Sequence, residues 1–177
     1  MIEVDTVRGS KVTLREMTRT DVDEMARWPR FREPELQWAN LDLLTARERD
    51  AYFERGRSNS TRKRFVVLDR QGRVIGTLGL RNLDFLSEEG TLGIIIRADA
   101  VGQGYGTDAI RNLLAYAFET LGLRRVLLDV AEHNVRARRC YESIGFSQIG
   151  QHLGMGSITY IDMVIYKQTF YLQERRR

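Results

Sequence analysis

The sequence predicts an α/β fold of the α+β type, a mixed and mostly antiparallel central sheet flanked by helices. Three observations carry this. The dipeptide Gln71-Gly72 separates two apolar, β-prone runs and reads as a hairpin turn. The run Ile94-Ile95-Ile96 is the most β-prone stretch of the chain. Ile110, Leu113, Leu114, Ala117, Phe118 and Leu121 then recur at helical spacing and make one apolar stripe. That helix lies between two apolar runs, so one strand-helix-strand crossover sits among hairpin-linked strands.

Taken in order, residues 11–17 alternate and predict a strand that ends before Thr18 and Thr20, both suited to a helix N-cap. A short helix over about 21–28 follows, and Pro29 and Pro34 break the chain. Residues 31–38 form an aromatic and acidic loop. Thr45-Ala46-Arg47-Glu48 has the spacing of a capping box and opens a helix to about Arg57. Residues 64–69 and 74–80 are the strands of the hairpin, 83–90 a polar connection, and 91–97 the next strand. Gly122 ends the long helix. Residues 125–130 form a strand, and 135–143 a short helix stopped by Gly145. Residues 146–150 and 157–168 form two last strands, with Gly154 and Gly156 between them.

With 177 residues the chain fits one domain, 1–177, able to bury a core without disulfides. Its 42% hydrophobic and 29% charged residues are ordinary for a globular protein. No apolar run approaches the roughly 18 residues of a membrane span. The start, Met1-Ile2-Glu3-Val4-Asp5, is mixed and acidic, unlike a signal peptide, and Cys140 has no internal partner. A cytoplasmic protein is expected. The formal charge of +4, carried almost wholly by arginine, suits an anionic ligand as well as a plain solvated surface. Nucleic-acid binding would need a basic stripe interleaved with aromatics, whereas these arginines are scattered among 24 acids. Neither nucleic acid, membrane nor metal is expected as a partner. Arg175-Arg176-Arg177 reads as a frayed, solubilising end.

The chemistry begins at Val101-Gly102-Gln103-Gly104-Tyr105-Gly106-Thr107, between the triple-isoleucine strand and the long helix. Alternating glycines allow close backbone approach and positive φ. The first helical N–H groups have no internal partner, so the segment suits a phosphate or pyrophosphate. It also suits a tight turn without a ligand. A P-loop needs a lysine after the glycines, and none is there. A dinucleotide fold would use Gly102, Gly104 and an acid such as Asp129, but the preceding strands are hairpin-linked and only one crossover helix is found.

A second segment, Asn134-Val135-Arg136-Ala137-Arg138-Arg139-Cys140-Tyr141-Glu142-Ser143-Ile144-Gly145-Phe146, lies one helix and one strand downstream. Together the two segments resemble the paired signatures of the GNAT superfamily of N-acetyltransferases, Arg/Gln-x-x-Gly-x-Gly/Ala and Asn-x-x-Ala-x-x-x-Tyr-x-x-x-Gly-Phe. The match runs from about Leu92 to Phe146. The resemblance implies acetyl-CoA as co-substrate, without a metal, and direct acetyl transfer to an amine in a ternary complex. It implies cofactor contacts at Ile94, Ile95 and Ile96, where strand backbone would meet the pantetheine arm and polarise the thioester carbonyl. It implies further cofactor contacts at Val101, Gly102, Gln103, Gly104, Tyr105, Gly106, Thr107, Asn134, Ala137, Arg139 and Tyr141. Val101 departs from the pattern, standing where Arg or Gln is usual, so cofactor binding is expected to be somewhat weaker.

Tyr141 is the expected hydrogen-bond donor to the departing thiolate; with a phenol pKa near 10 and a thiol near 8.5, full proton transfer is uphill. Asn134 suits pantetheine amides and also a helix N-cap. Many relatives carry a glutamate where Thr91 stands, so the base is open; Glu88 or Glu89 acting through water is the expectation, with Glu89 the residue named. His133 and His152 read as structural. The resemblance is strongest to the branch with ribosomal-protein N-terminal and polyamine acetyltransferases. It places acceptor contacts in the aromatic and acidic loop, at Phe31, Glu33, Glu35, Trp38 and Asp42, with Glu33 or Glu35 as the carboxylate and Trp38 beside it, and implies a peptide or small-molecule amine. The missing glutamate at Thr91 tilts the expectation toward an α-amine or a weakly basic amine. A coenzyme A sensor without turnover is the rival reading. The apolar strand at 161–165 suits either a homodimer or simple burial.

Overall fold

The computed structural model describes residues 6–176. The opening pentapeptide and Arg177 lie outside them. Eight strands form one sheet: β1 (Thr6–Arg8), β2 (Thr13–Glu16), β3 (Lys63–Leu68), β4 (Val74–Asp84), β5 (Glu89–Ile96), β6 (Arg125–Ala131), β7 (Ser147–Leu153) and β8 (Thr159–Tyr166). Their spatial order is β1-β2-β3-β4-β5-β6-β8-β7. The helices are α1 (Arg19–Met25), α2 (Ala46–Arg57), α3 (Tyr105–Glu119), α4 (Val135–Ile144) and α5 (Lys167–Glu174). All strand pairs are antiparallel except β5–β6, which α3 connects. The expected single crossover is therefore present.

The apolar stripe of α3 explains the main core. Ile110, Leu113, Leu114, Ala117 and Phe118 are buried against Leu14, Phe65, Leu78, Leu80 and Leu92 of the sheet. Tyr141, Ile144 and Phe170 join the same cluster, so α3, α4 and α5 cover one face. On the other face a smaller cluster of Val22, Met25, Trp28, Phe31 and Leu41 packs on Val66 and Val74. The β6–β8–β7 part of that face carries no helix.

Local signals account for several boundaries. Thr45 caps α2, its hydroxyl accepting from Glu48 N (3.3 Å) while the Glu48 carboxylate accepts from Thr45 N (2.7 Å). Thr18 caps α1, with its N–H donating to Asp21 (2.6 Å).

Four sequence expectations need correction. Residues 83–90 are not a polar connection: β4 runs to Asp84 and β5 starts at Glu89, because Leu83 is buried and Asp84 accepts from Leu86 N and Ser87 N to make a tight turn. The last strand stops at Tyr166, and α5 follows because Phe170 buries against Phe118. β1 adds an edge strand. The acidic loop contains 3-10 turns at Pro34–Ala39 and Leu41–Leu43, the first with Pro34 at its start. The apolarity of 161–165 is explained by the position of β8 between β6 and β7. Among the described residues no helix is long and apolar enough to cross a membrane, and none group as a metal site.

Candidate active site

The parallel pair β5–β6 is short. Only Glu89, Gly90 and Thr91 stand in register with Arg125, Val126 and Leu127. Beyond that point β5 stays with β4 to Ile96, and β6 stays with β8 to Ala131. The sheet therefore splits, and the backbone groups of Leu92, Ile94 and Ile96 that face β6 have no strand partner. Unpaired strand groups beside a cleft are an invitation to an amide-bearing ligand.

The glycine loop lies at the open end of this cleft. Gly102 (φ +78°) and Gly104 (φ +81°) are left-handed, and Gly104 is the N-cap of α3. Left-handed residues among right-handed ones turn successive N–H groups inward as an anion nest. The α3 dipole adds positive potential at the same place. Gly106 is where the helix meets the strand: a Cβ there would touch Ile96 Cγ1 at 3.6 Å. Gln103, Tyr105 and Thr107 supply further loop and first-turn amides. Val101 brings no charge.

The second segment builds two caps. Asn134 is the N-cap of α4, its Oδ1 accepting from Ala137 N at 3.1 Å. At the other end, Phe146 N donates to Tyr141 O (3.0 Å) and Gly145 N to Glu142 O (3.0 Å). That double bond, with Gly145 at φ +118°, is a Schellman motif. Its usual apolar contact is here the Tyr141–Phe146 ring pair, 5.8 Å between centroids. The Tyr-x-x-x-Gly-Phe spacing is thus a helix stop that fixes the tyrosine ring. Tyr141 is 8% exposed, and its hydroxyl has no hydrogen-bond partner among the described residues. Burial pushes its phenol up, with the neighbouring Cys140 and Asp129 adding to the shift, so it remains a proton donor. Thr107 and Cys140 meet at 3.2 Å and join α3 to α4. Arg138 turns back to the Glu132 carbonyl (3.4 Å), while Arg136 and Arg139 are exposed.

The face opposite α3 and α4 is where the charges collect. Arg81 of β4 pairs with Asp129 of β6 across β5, at the level of Thr91. Asp129 stands beside Asp162 of β8 in register, and Asp162 lies 2.9 Å from His152. Glu35, from the first 3-10 turn, reaches His133 Nε2 at 2.8 Å. The Glu35 side chain is only 8% exposed, and its second oxygen is buried without a partner. Burial raises the Tyr160 phenol, and the charges of Glu35 and Asp129 raise it further. Asp129, Asp162 and Tyr160 thus lie along one face of β6 and β8, with Glu35 tied to His133 just beyond the end of β6.

The remaining sequence candidates lie elsewhere. Glu89 is at the closed end of the β5–β6 pair, bound to Arg125 Nε at 2.7 Å. Glu33 is exposed and accepts from Arg32 N (3.0 Å). Trp38 is 65% exposed, whereas Trp28 is buried. Glu35 is among the loop residues expected near the acceptor; Asp129 is not, being weighed from sequence only as the acid of a dinucleotide site, in a chain with 24 acids.

Residues 11–147 match the model of the acetyltransferase (GNAT) domain. A spermidine N(1)-acetyltransferase of Vibrio cholerae is 28% identical over 142 residues, covering 80% of this chain and 82% of that protein. A Bacillus subtilis protein provisionally named as a ribosomal N-acetyltransferase is 38% identical over 80 residues, 45% of this chain and 44% of that one. The crystal structure of the Vibrio cholerae spermidine N-acetyltransferase with CoA and spermine superposes with a TM-score of 0.75 at 24% identity, over 92% of this chain and 99% of that one.

Proposed function

The chain belongs to the acetyltransferase (GNAT) domain family and is an acetyl-CoA-dependent N-acetyltransferase, and from that premise we propose that its acceptor is a small polycationic amine of the polyamine type. The observation that carries this is the pair of carboxylates on the face opposite α3 and α4: Glu35, with one buried oxygen unpartnered, and Asp129. A buried carboxylate oxygen without a donor is costly, and a cationic N–H group relieves that cost. The relatives named for spermidine point the same way.

The residues fit the co-substrate. The positive-φ glycines and the open amides of α3 suit a pyrophosphate, and the unpaired β5 edge suits the amides of pantetheine. Tyr141, its phenol kept protonated by burial, is the proposed hydrogen-bond donor to the sulfur as the C–S bond breaks. The acceptor nitrogen forms the new bond to the carbonyl carbon and gives up a proton to solvent. Thr91 supplies no base, and Glu89 is held by Arg125. Catalysis therefore draws on amine that reaches the carbonyl unprotonated, and kcat/KM rises with pH toward the amine's own pKa, near 10 for a lysine-like group. Asp129 and Glu35 hold the distal ammonium groups. The lone Cys140 suits a reducing compartment, and we place the reaction in the cytoplasm.

The test is thiol release from acetyl-CoA in the presence of spermidine, spermine, peptides with free N-termini and aminoglycosides. Fast release with the polyamines supports the reading. Release with peptides alone would replace the acceptor. Coenzyme A binding without release for any amine would favour a sensor.

A further inference from the structure

We infer that Lys11 supplies the cation of the pyrophosphate site, in the place left by Val101, and that Asp108 is the positioning residue that holds it there. The inference rests on acetyl-CoA being the co-substrate. Lys11 lies in the turn between β1 and β2, far from the glycine loop in sequence. In space its Nζ donates to Gln103 O at 3.0 Å, within the loop itself. A Cβ on Gly104 would stand 2.7 Å from that Nζ, so the ammonium rests directly on the N-cap of α3.

The turn is fastened to the helix with unusual thoroughness. Asp108, in the first turn of α3, accepts from Lys11 N (2.8 Å), Val12 N (3.0 Å) and the Ser10 hydroxyl (2.8 Å), with Ser10 N at 3.3 Å. Gly9 closes the arrangement, because a Cβ there would collide with Asn112 and Asp108 side chains. The charge of Asp108 is thus spent on the turn rather than on the ammonium. No carboxylate of the described residues forms an ion pair with Lys11, and an ammonium has three donors, of which Gln103 takes one. A cation with two free donors, seated on an anion nest, meets the need that a basic side chain at position 101 would have met.

A plain strut for the loop is the competing role, and Lys11→Gln separates the two. Glutamine still offers an N–H to the Gln103 carbonyl but has no charge. Titration calorimetry with free coenzyme A and with dephospho-coenzyme A, which keeps the pyrophosphate and lacks the 3′-phosphate, is the measurement. The expected result is that K11Q weakens both ligands by about tenfold, the effect of one charge-assisted contact. K11R restores affinity to within about threefold, and the salt dependence of log Kd is shallower in K11Q than in the natural protein. Wild-type affinity in K11Q overturns the inference in favour of a strut. A loss confined to coenzyme A overturns it in favour of a 3′-phosphate contact. Failure of the natural protein to bind coenzyme A would instead overturn the co-substrate itself.

Discussion

The two sides of the split sheet are built from different material. On the side of α3 and α4, the groups that would meet a ligand are mostly backbone: loop amides, the free edge of β5 and two helix caps. On the opposite side they are side chains from separated elements, Glu35 from a 3-10 turn, Arg81 from β4, Asp129 from β6 and Tyr160 from β8. A backbone site is fixed by φ angles and tolerates little change of shape. A side-chain site is fixed by tertiary neighbours and can change its charge pattern without disturbing the fold. One side is thus suited to an invariant co-substrate, and the other to an acceptor that varies between relatives.

The sharpest break in that contrast is Tyr141, a side chain on the backbone-built side. Tyr141→Phe is expected to lower kcat by roughly 10²–10⁴-fold while leaving the coenzyme A Kd unchanged, as checked by steady-state kinetics and calorimetry. Undiminished turnover would remove the phenol from the reaction. Next in size, Glu35→Gln and Asp129→Asn should each raise the polyamine KM by about tenfold or more, with the acetyl-CoA KM unaltered. If both constants moved together, the two sides would not be independent. Gly145→Ala tests the cap: at φ +118°, with Gln173 Cγ 3.2 Å from the new Cβ, it should cost about 1–3 kcal/mol in urea unfolding and loosen Tyr141. Asp69 should have the smallest effect, away from both sides. Burial alone would raise its carboxyl, but the Arg73 amide and guanidinium and the Gln71 amide hold it below the usual range. Its stabilisation is therefore present above an unfolded pKa near 3.9 and lost as pH falls through the lower folded value. Asp69→Asn should flatten the fall in denaturant midpoint between neutral pH and about pH 3.

The same contrast explains what could be read from the chain. Backbone devices leave local patterns: the glycines of 102–106, the Thr45–Glu48 box, the Tyr141–Gly145–Phe146 stop and the stripe of α3 all stand within one element. The groups proposed to meet the acceptor do not. Glu35 and His133 are 98 residues apart, and Arg81 and Asp129 are 48 apart, so no window of sequence contains either pair. Glu33 and Glu35 are equal candidates in the acidic loop, and only tertiary packing turns Glu35 inward and leaves Glu33 exposed. Glu89 looked available until strand register set it opposite Arg125. α5 was missed because Tyr166 gives no side-chain cap and 157–168 alternates like a strand.

The brevity of the β5–β6 seam has a thermodynamic consequence. The two halves of the sheet are joined at only three residue pairs, so the ligand that bridges the gap belongs to the folded state as much as to the reaction. The stability of the chain is then coupled to how much co-substrate is present, by about 2.7 kcal/mol at a hundredfold excess over Kd. The amide hydrogens of Leu92, Ile94 and Ile96, which face the gap, should exchange quickly in the free protein and slowly in the loaded one, while those of Gly93 and Ile95 stay protected by β4 in both.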